Sequence, residues 1–351
     1  MNWVVNNMAT TVNNAFAEFM KEKVNLDQEK NKIARSSRDN LIDNIKGFSG
    51  DSDFFVVYTD KILRFGSFER RTKIRPIDDI DLMLCLSGEG TRTYIQSGEV
   101  FYINGSDADS KNGLMTDNTN YLNSTKVINR FISKLSDLQD YSKAEMHKNH
   151  EAATLQLKSY TWNFDIVPCF YTDTGFYLIP DGSGNWKKTD PRIDNERITD
   201  INQKHNGRLL ELIRLAKYWN NRKVTIRIGS YLLECMILQK YENKEASENW
   251  WIDLEFRDLL NYLSSAILSD VDDPKGIQGN LNSFCWDDRC KISDALTNAY
   301  NKAVEASNME LNDKNQKGAI TRNGEKCWEV IFQNIQESKA HEQRGRVKNV
   351  N

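Results

Sequence analysis

Residues 61–86, KILRFGSFERRTKIRPIDDIDLMLCL, decide the fold of this chain. The pattern predicts a strand, a turn at Gly66-Ser67, a basic loop and a second strand with strict period-two alternation. One face of the second strand is aliphatic throughout, and the opposite face begins with Asp79 and Asp81. Two carboxylates therefore share a face, one pleat apart, where they repel each other unless a cation lies between them.

A divalent metal site is the functional interpretation of this acidic face, because carboxylate oxygens are the ligands that magnesium prefers. A solvated strand edge is the structural alternative, since aspartate is common beside turns. The turn favours the first interpretation. Gly66 lets the backbone come close to a phosphate, and the Ser67 hydroxyl and nearby amides can bind its oxygens.

The loop that joins the turn to the strand is basic and contains Arg70, Arg71, Lys73 and Arg75. Cations beside a phosphate-binding turn can steady a triphosphate. Exposed cations are also common in loops that do nothing more than face water. The sequence leaves both interpretations open.

The spacing of these residues matches a known pattern. Gly66-Ser67, eleven intervening residues and then Asp79-Ile80-Asp81 resemble the signature of the polymerase-beta-like nucleotidyltransferases. The surrounding GSFERRTKIRPIDDIDL is similar to the cGAS/DncV-like (CD-NTase) branch of that superfamily. The resemblance implies an α+β fold with a mixed-sheet lobe and a C-terminal helical lobe, bridged by a long N-terminal helix. It also implies a third carboxylate on a neighbouring strand.

Asp165, in the segment TWNFDIVPCF at residues 161–170, is the candidate for that third carboxylate. Phe164 and Ile166 point to one side of the predicted strand and Asp165 to the other. A buried carboxylate without a partner costs several kcal/mol, so Asp165 needs a cation or hydrogen-bond donors. An aspartate that caps a turn before Pro168 is the structural alternative. By resemblance, Asp165 is a metal ligand and the candidate general base.

Composition sets limits on the class of protein. The chain has 351 residues, of which 39% are hydrophobic and 28% charged, as in globular proteins large enough for two lobes. The sequence contains no apolar run of about 18 residues and no basic-apolar leader, so we expect a cytoplasmic protein without a membrane segment. A net charge of -3 argues against duplex nucleic acid as the main partner. Six cysteines without Cys-x-x-Cys spacing predict reduced thiols.

Three regions are predicted along the chain. Residues 1–190 form the catalytic lobe and include a leading helix over residues 10–47. Residues 191–336 form the helical lobe, which completes the donor pocket. Residues 337–351 are charged and predicted to be a mobile tail.

The helical lobe contains three more candidate site residues. Lys217 lies at the margin of an apolar helix stripe, and Ser230 and Tyr231 open the next helix. Free amides at a helix start favour phosphate oxygens, and an aromatic ring beside them can stack on a base. A surface lysine, an N-cap serine and a core tyrosine are the structural alternatives. By resemblance, Lys217 and Ser230 hold the donor triphosphate and Tyr231 stacks on the donor base.

The resemblance also implies an activity. Two magnesium ions, for which manganese can substitute, are held by Asp79, Asp81 and Asp165. NTPs, ATP among them, are joined into a cyclic di- or trinucleotide second messenger. That messenger activates a separate effector in anti-phage (CBASS) signalling, without a nucleic-acid activator. A regulatory partner protein is compatible with the sequence.

Three alternative functions remain open at this stage. A nucleotidyltransferase of the same superfamily could add a single nucleotide to a small molecule, a protein or a tRNA end. The chain could also be an inactive nucleotide-binding regulator, although retention of all three acids argues against it. A pure nucleic-acid-binding protein is the third alternative, and the acidic net charge argues against it.

Overall fold

The computed structural model describes residues 12–50, 54–221 and 226–317, together with Trp328, Ile331 and Phe332. The chain forms two compact units. One is Leu26–Arg197, and the other comprises the described residues before Leu26 and those from Ile198 onward. The predicted tail at residues 337–351 lies outside the described residues.

The leading segment is divided into two helices. Helix α1 (Val12–Phe19) continues as a π-helical turn at Met20–Val24, and helix α2 is Gln28–Lys46. The sequence predicted one helix over residues 10–47, but Asn25 is extended, with ψ 148°. The Asp27 carboxylate then accepts a hydrogen bond from the Lys30 N–H (3.0 Å) and caps the start of α2. The spacing of the apolar residues gives no indication of this cap, so it predicted a single helix.

The unit Leu26–Arg197 is a mixed sheet with helices. Its strands and helices are β1 (Leu63–Arg64), α3 (Gly66–Glu69), β2 (Asp79–Leu86), β3 (Tyr94–Ser97), β4 (Val100–Ile103), α4 (Asp107–Lys111), α5 (Ser124–Ser136), β5 (Glu145–Asn149), β6 (Ala152–Gln156), β7 (Asn163–Tyr171), β8 (Tyr177–Pro180) and β9 (Trp186–Thr189). Among the described residues the strand order is β1-β2-β7-β8-β9-β4-β3, and β6 pairs with both β7 and β5. Strands β2 and β7 run parallel, and the other paired strands run antiparallel.

The two faces of β2 follow the predicted alternation. Ile80, Leu82, Leu84 and Leu86 enter the large core, which also contains apolar residues of α2 and α5. Met83 and Cys85 enter a smaller cluster on the other face with Val167 and Cys169 of β7. The acids at the start of β2 therefore precede a buried apolar row on the same face.

The second unit is helical. It contains most of α6 (Pro191–Lys204), then α7 (Leu209–Asn220), α8 (Ser230–Asn243), α9 (Ile252–Ala266) and α10 (Trp286–Lys317). Phe19 of α1 packs edge-on against Tyr218 of α7 and also contacts Phe332. Among the described helices, none is long and apolar enough to cross a membrane.

Candidate active site

The predicted Gly-Ser turn lies directly against the acidic strand. Gly66 is the first residue of α3 and has φ 75°, a conformation that favours glycine. A Cβ built on Gly66 would overlap the Asp81 carboxylate and would lie 2.8 Å from the Asp81 Cβ. The Ser67 carbonyl accepts hydrogen bonds from the N–H groups of Thr72 (2.9 Å) and Lys73 (3.0 Å). Glycine is therefore the residue that allows this turn to touch Asp81.

The structure brings Asp79, Asp81 and Asp165 together. Asp81 and Asp165 are paired in register on the parallel strands β2 and β7, and Asp79 lies one pleat before Asp81. Burial, together with the charges of Asp79 and Asp165, raises the pKa of Asp81 to about 7. The charges of Lys73 and Arg70 oppose this rise only in part. The site thus concentrates negative charge, as a cation site requires.

Lys73 is the cation nearest to the first acid. Its Nζ pairs with carboxylate oxygens of both Asp78 and Asp79, and its side chain is only 11% exposed. Burial disfavours the charged lysine, but the two carboxylates still raise its pKa above the usual value. Burial likewise raises the pKa of Asp79 despite the contact with Lys73. The sequence predicts a basic loop around Lys73 but carries no signal for either ion pair.

Asp165 has a partner that the sequence analysis also missed. Thr154 of β6 is 4% exposed, and its hydroxyl donates to Asp165 Oδ1 at 2.6 Å. The alternation of residues along β6 was the signal in the sequence that could have indicated that Thr154 faces the same side of the sheet as Asp165. In the part of the chain that the structure describes, no group of three Asp, Glu, His or Cys side chains is already arranged around a common metal position.

The predicted donor-side residues all lie in the helical unit. Lys217 of α7 pairs with Glu234 of α8, and both side chains are buried. Ser230 is the exposed first residue of α8. The Tyr231 hydroxyl donates to Asp273 (2.9 Å), and Lys275 Nζ lies 4.1 Å from the centre of the Tyr231 ring. The roles of these residues in nucleotide binding stay predictions.

A mixed sheet that carries acids on two parallel strands, beside a Gly-Ser turn, matches what the resemblance to nucleotidyltransferases implied. Comparison with known proteins agrees. The family described as Second Messenger Oligonucleotide or Dinucleotide Synthetase domain (SMODS) matches residues 93–202, which include Asp165. A probable cyclic nucleotide synthase of Bacillus cereus (strain VD146) is 43% identical over 335 residues, covering 93% of this chain and 97% of that protein.

Two further similarities are more distant. A cyclic AMP-AMP-AMP synthase of an Acinetobacter strain is 29% identical over 150 residues, or 41% of this chain and 43% of that protein. The structure of Escherichia coli MS115-1 CdnC with ATP has a TM-score of 0.66 at 17% identity, covering 92% of this chain and 98% of that one. At this identity the structural likeness establishes the fold.

The chain therefore belongs to the CD-NTase family of cyclic nucleotide synthases, and it is a nucleotidyltransferase of the kind that makes cyclic oligonucleotides. The predicted α+β fold class is confirmed by the likeness to CdnC and by that to Vibrio cholerae DncV. The DncV structure has a TM-score of 0.52 at 14% identity and covers 70% of this chain and 63% of that one.

Proposed function

We propose that this protein is a magnesium-dependent synthase that joins NTPs into a cyclic di- or trinucleotide second messenger for anti-phage (CBASS) signalling. The observation that carries the proposal is the position of Asp81. It lies in register with Asp165, one pleat from Asp79, and against the backbone of Gly66. These are the groups that in-line phosphoryl transfer needs in one place.

The chemistry of the three carboxylates suits magnesium, although their side chains are not yet arranged around a common position. Asp79, Asp81 and Asp165 provide hard oxygen ligands, and the raised pKa of Asp81 reflects burial and the mutual repulsion that a divalent cation would remove. We expect these three residues to hold two ions, with manganese as a substitute. When bound, the ions would lower the pKa of an acceptor hydroxyl and neutralise charge on the leaving pyrophosphate.

The protein's own residues have distinct tasks in this scheme. The Gly66-Ser67 turn lets backbone and hydroxyl groups approach the phosphates of the donor. Asp165 accepts the proton of the acceptor ribose hydroxyl while the oxygen of that hydroxyl attacks the α-phosphorus of the donor. The bond between the α-phosphorus and the oxygen that bridges to the β-phosphate breaks, and pyrophosphate leaves. Lys217 and Ser230 bind the donor triphosphate, and Tyr231 stacks on the donor base. Repetition of the step on the linear product closes the ring.

Partners are proposed from the relatives. CdnC of Escherichia coli has been solved with ATP and in complex with a HORMA protein. We therefore propose ATP among the substrates and a regulatory partner of the HORMA type. The product would act on a separate effector that binds cyclic nucleotides.

The test is incubation of the purified protein with all four labelled NTPs, with magnesium or with EDTA, followed by phosphatase treatment and mass spectrometry. A phosphatase-resistant cyclic product that disappears with EDTA and in Asp79→Asn/Asp81→Asn supports the proposal. Asp43→Asn is the matched control, because Asp43 is an exposed acid on α2 that pairs only with Lys46 among the described contacts. A product formed only with an added acceptor would favour single-nucleotide transfer. Nucleotide binding without pyrophosphate release, with and without a HORMA partner, would favour the inactive regulator.

A further inference from the structure

Asp165 lies in a row of cross-strand register partners on one face of the sheet, formed by Asp81, Asp165, Thr154 and, on β5, His147. Asp81 of β2 and Thr154 of β6 are its register partners on opposite sides, because β2 and β6 both pair with β7. Register partners point to the same face of a sheet, so all three side chains share the acidic face. Thr154 is thus the neighbour of Asp165 on the side away from Asp81, with the exposed His147 of β5 beyond it.

The side chain of Thr154 lies among apolar residues, where a hydroxyl group needs a hydrogen-bond partner. Ala152, which shares its face of β6, lies in the apolar cluster with Met83 and Val167. Valine would fill the same shape in such surroundings without a polar group. A buried hydroxyl is unfavourable unless it is hydrogen-bonded, and here it donates to a carboxylate oxygen at 2.6 Å.

Threonine is also well suited to fixing a direction. Its branched Cβ restricts χ1, so the hydroxyl of a buried threonine in a strand points in one defined direction. The hydrogen bond occupies Oδ1 of Asp165 from the β6 side. Oδ2 is thereby left for groups on the side of Asp81.

We propose that Thr154 is a positioning residue that sets the orientation of the Asp165 carboxylate for metal binding and proton transfer. The inference rests on the proposed function, which gives Asp165 those two tasks. In this proposal Thr154 acts on the nucleotide and the metal ion only through its hydrogen bond to Asp165. It acts by holding one oxygen of Asp165 so that the other meets its partners in a single geometry.

Thr154→Val tests the inference because it removes the hydroxyl and keeps the shape. We expect Mn²⁺ binding, measured by calorimetry or electron paramagnetic resonance without nucleotide, to weaken by about 10- to 100-fold, as for other partners of metal ligands. We expect kcat for pyrophosphate release to fall by a similar factor, with KM for ATP unchanged. Thr154→Ser, which keeps the hydroxyl, should stay within a few-fold of the wild type.

A matched control is Thr172→Val. Thr172 is also buried, at 7% exposed, and its hydroxyl donates to the Phe176 carbonyl at 2.9 Å, without contact to the acids. Its hydroxyl also accepts from the Phe176 N–H at 3.1 Å, so the substitution removes buried hydrogen bonds between neutral groups in the same unit. It should lower the melting temperature, while Mn²⁺ affinity and kcat stay at wild-type values.

A double-mutant cycle with Asp165→Asn separates this inference from the proposed function. If Thr154 acts through Asp165, Thr154→Val causes no further loss of Mn²⁺ affinity in the Asp165→Asn background. If Asp165→Asn itself binds Mn²⁺ as the wild type does, the metal role in the proposed function fails. If Asp165→Asn weakens binding and Thr154→Val does not, only the role of Thr154 is refuted. Should the valine variant not fold, the cycle is run with Thr154→Ala, and the serine variant must restore affinity.

Discussion

The contact between Gly66 and Asp81 makes Gly66→Ala a sharp perturbation of the site. The change adds one methyl group where a Cβ would overlap the Asp81 carboxylate and lie 2.8 Å from its Cβ. Backbone and carboxylate cannot both keep their positions, so either α3 or Asp81 must move. The proposed site depends on both, and the variant therefore tests the central geometry without removing a charge.

The loss of folding stability expected for Gly66→Ala has two parts. A non-glycine residue at φ 75° costs about 1–2 kcal/mol, because its Cβ crowds the following carbonyl oxygen. Overpacking against Asp81 adds about 1–3 kcal/mol. The sum is about 2–5 kcal/mol, and each kcal/mol lowers the melting temperature of a unit of this size by about 2–4 °C. A displacement of Asp81 by about 1 Å would also lower kcat by roughly 100-fold.

Gly98→Ala provides the matched control. Gly98 follows β3 and has φ 64°, but a Cβ there would have no neighbour within 4 Å. This variant measures the backbone term alone, about 1–2 kcal/mol, and should keep full activity. The assays are thermal unfolding, for stability, and pyrophosphate release from ATP, for turnover. Equal melting temperatures for the two variants, with turnover retained in Gly66→Ala, would refute the close packing of Gly66 on Asp81.

Substitutions at three further places test other charged groups with little exposure to solvent. Glu234→Gln should cost about 3–5 kcal/mol in urea unfolding because it removes the carboxylate charge that pairs with the buried Lys217, and Lys217→Met/Glu234→Leu should recover most of that loss; a double variant as unstable as the single one would contradict the pairing. Asp273→Asn should cost about 1–3 kcal/mol at pH 7: burial would raise the pKa of Asp273, but hydrogen bonds from Gln278, Lys275 and Tyr231 outweigh it and lower the pKa. That stabilisation is complete above the unfolded-state pKa of about 3.9 and is lost as pH falls through the lower folded-state pKa, so the urea melts of variant and wild type should begin to converge below about pH 4 and coincide only below the folded-state pKa. Lys73→Met should tighten Mn²⁺ binding by roughly tenfold in calorimetry, since Lys73 occupies Asp79; weaker binding would instead make Lys73 a support of the metal site.

The acidic face could be predicted from the sequence because it depends on local alternation. Ile80 and Leu82 fix which face of β2 is buried, and Asp79 and Asp81 must then take the other. The turn at Gly66 could be predicted for a similar reason, since it depends on the short local motif Gly66-Ser67. The partnership of Asp81 with Asp165 was inferred only by resemblance, because alternation does not specify which strands pair.

Contacts between side chains far apart in sequence could not be predicted in this way. Thr154 donates to Asp165, and Glu234 pairs with Lys217, through strand and helix pairings that the sequence does not encode locally. Tyr231 was predicted to stack on a base, but its hydroxyl binding to Asp273 depends on a loop 42 residues further on. The polar residues around a site are therefore its least predictable part.

The parallel pairing of β2 and β7 is what makes the acidic site possible. Both strands start at the same edge of the sheet, so the third residue of each, Asp81 and Asp165, meet in register. In an antiparallel pairing, acids near the starts of the two strands would lie at opposite ends. A slip of one residue would turn Asp165 into the large core, where Phe164 and Ile166 now lie fully buried. The burial of Phe164 and Ile166 therefore fixes the position of the Asp165 carboxylate. The precise geometry of the acidic site is a consequence of the packing of the core.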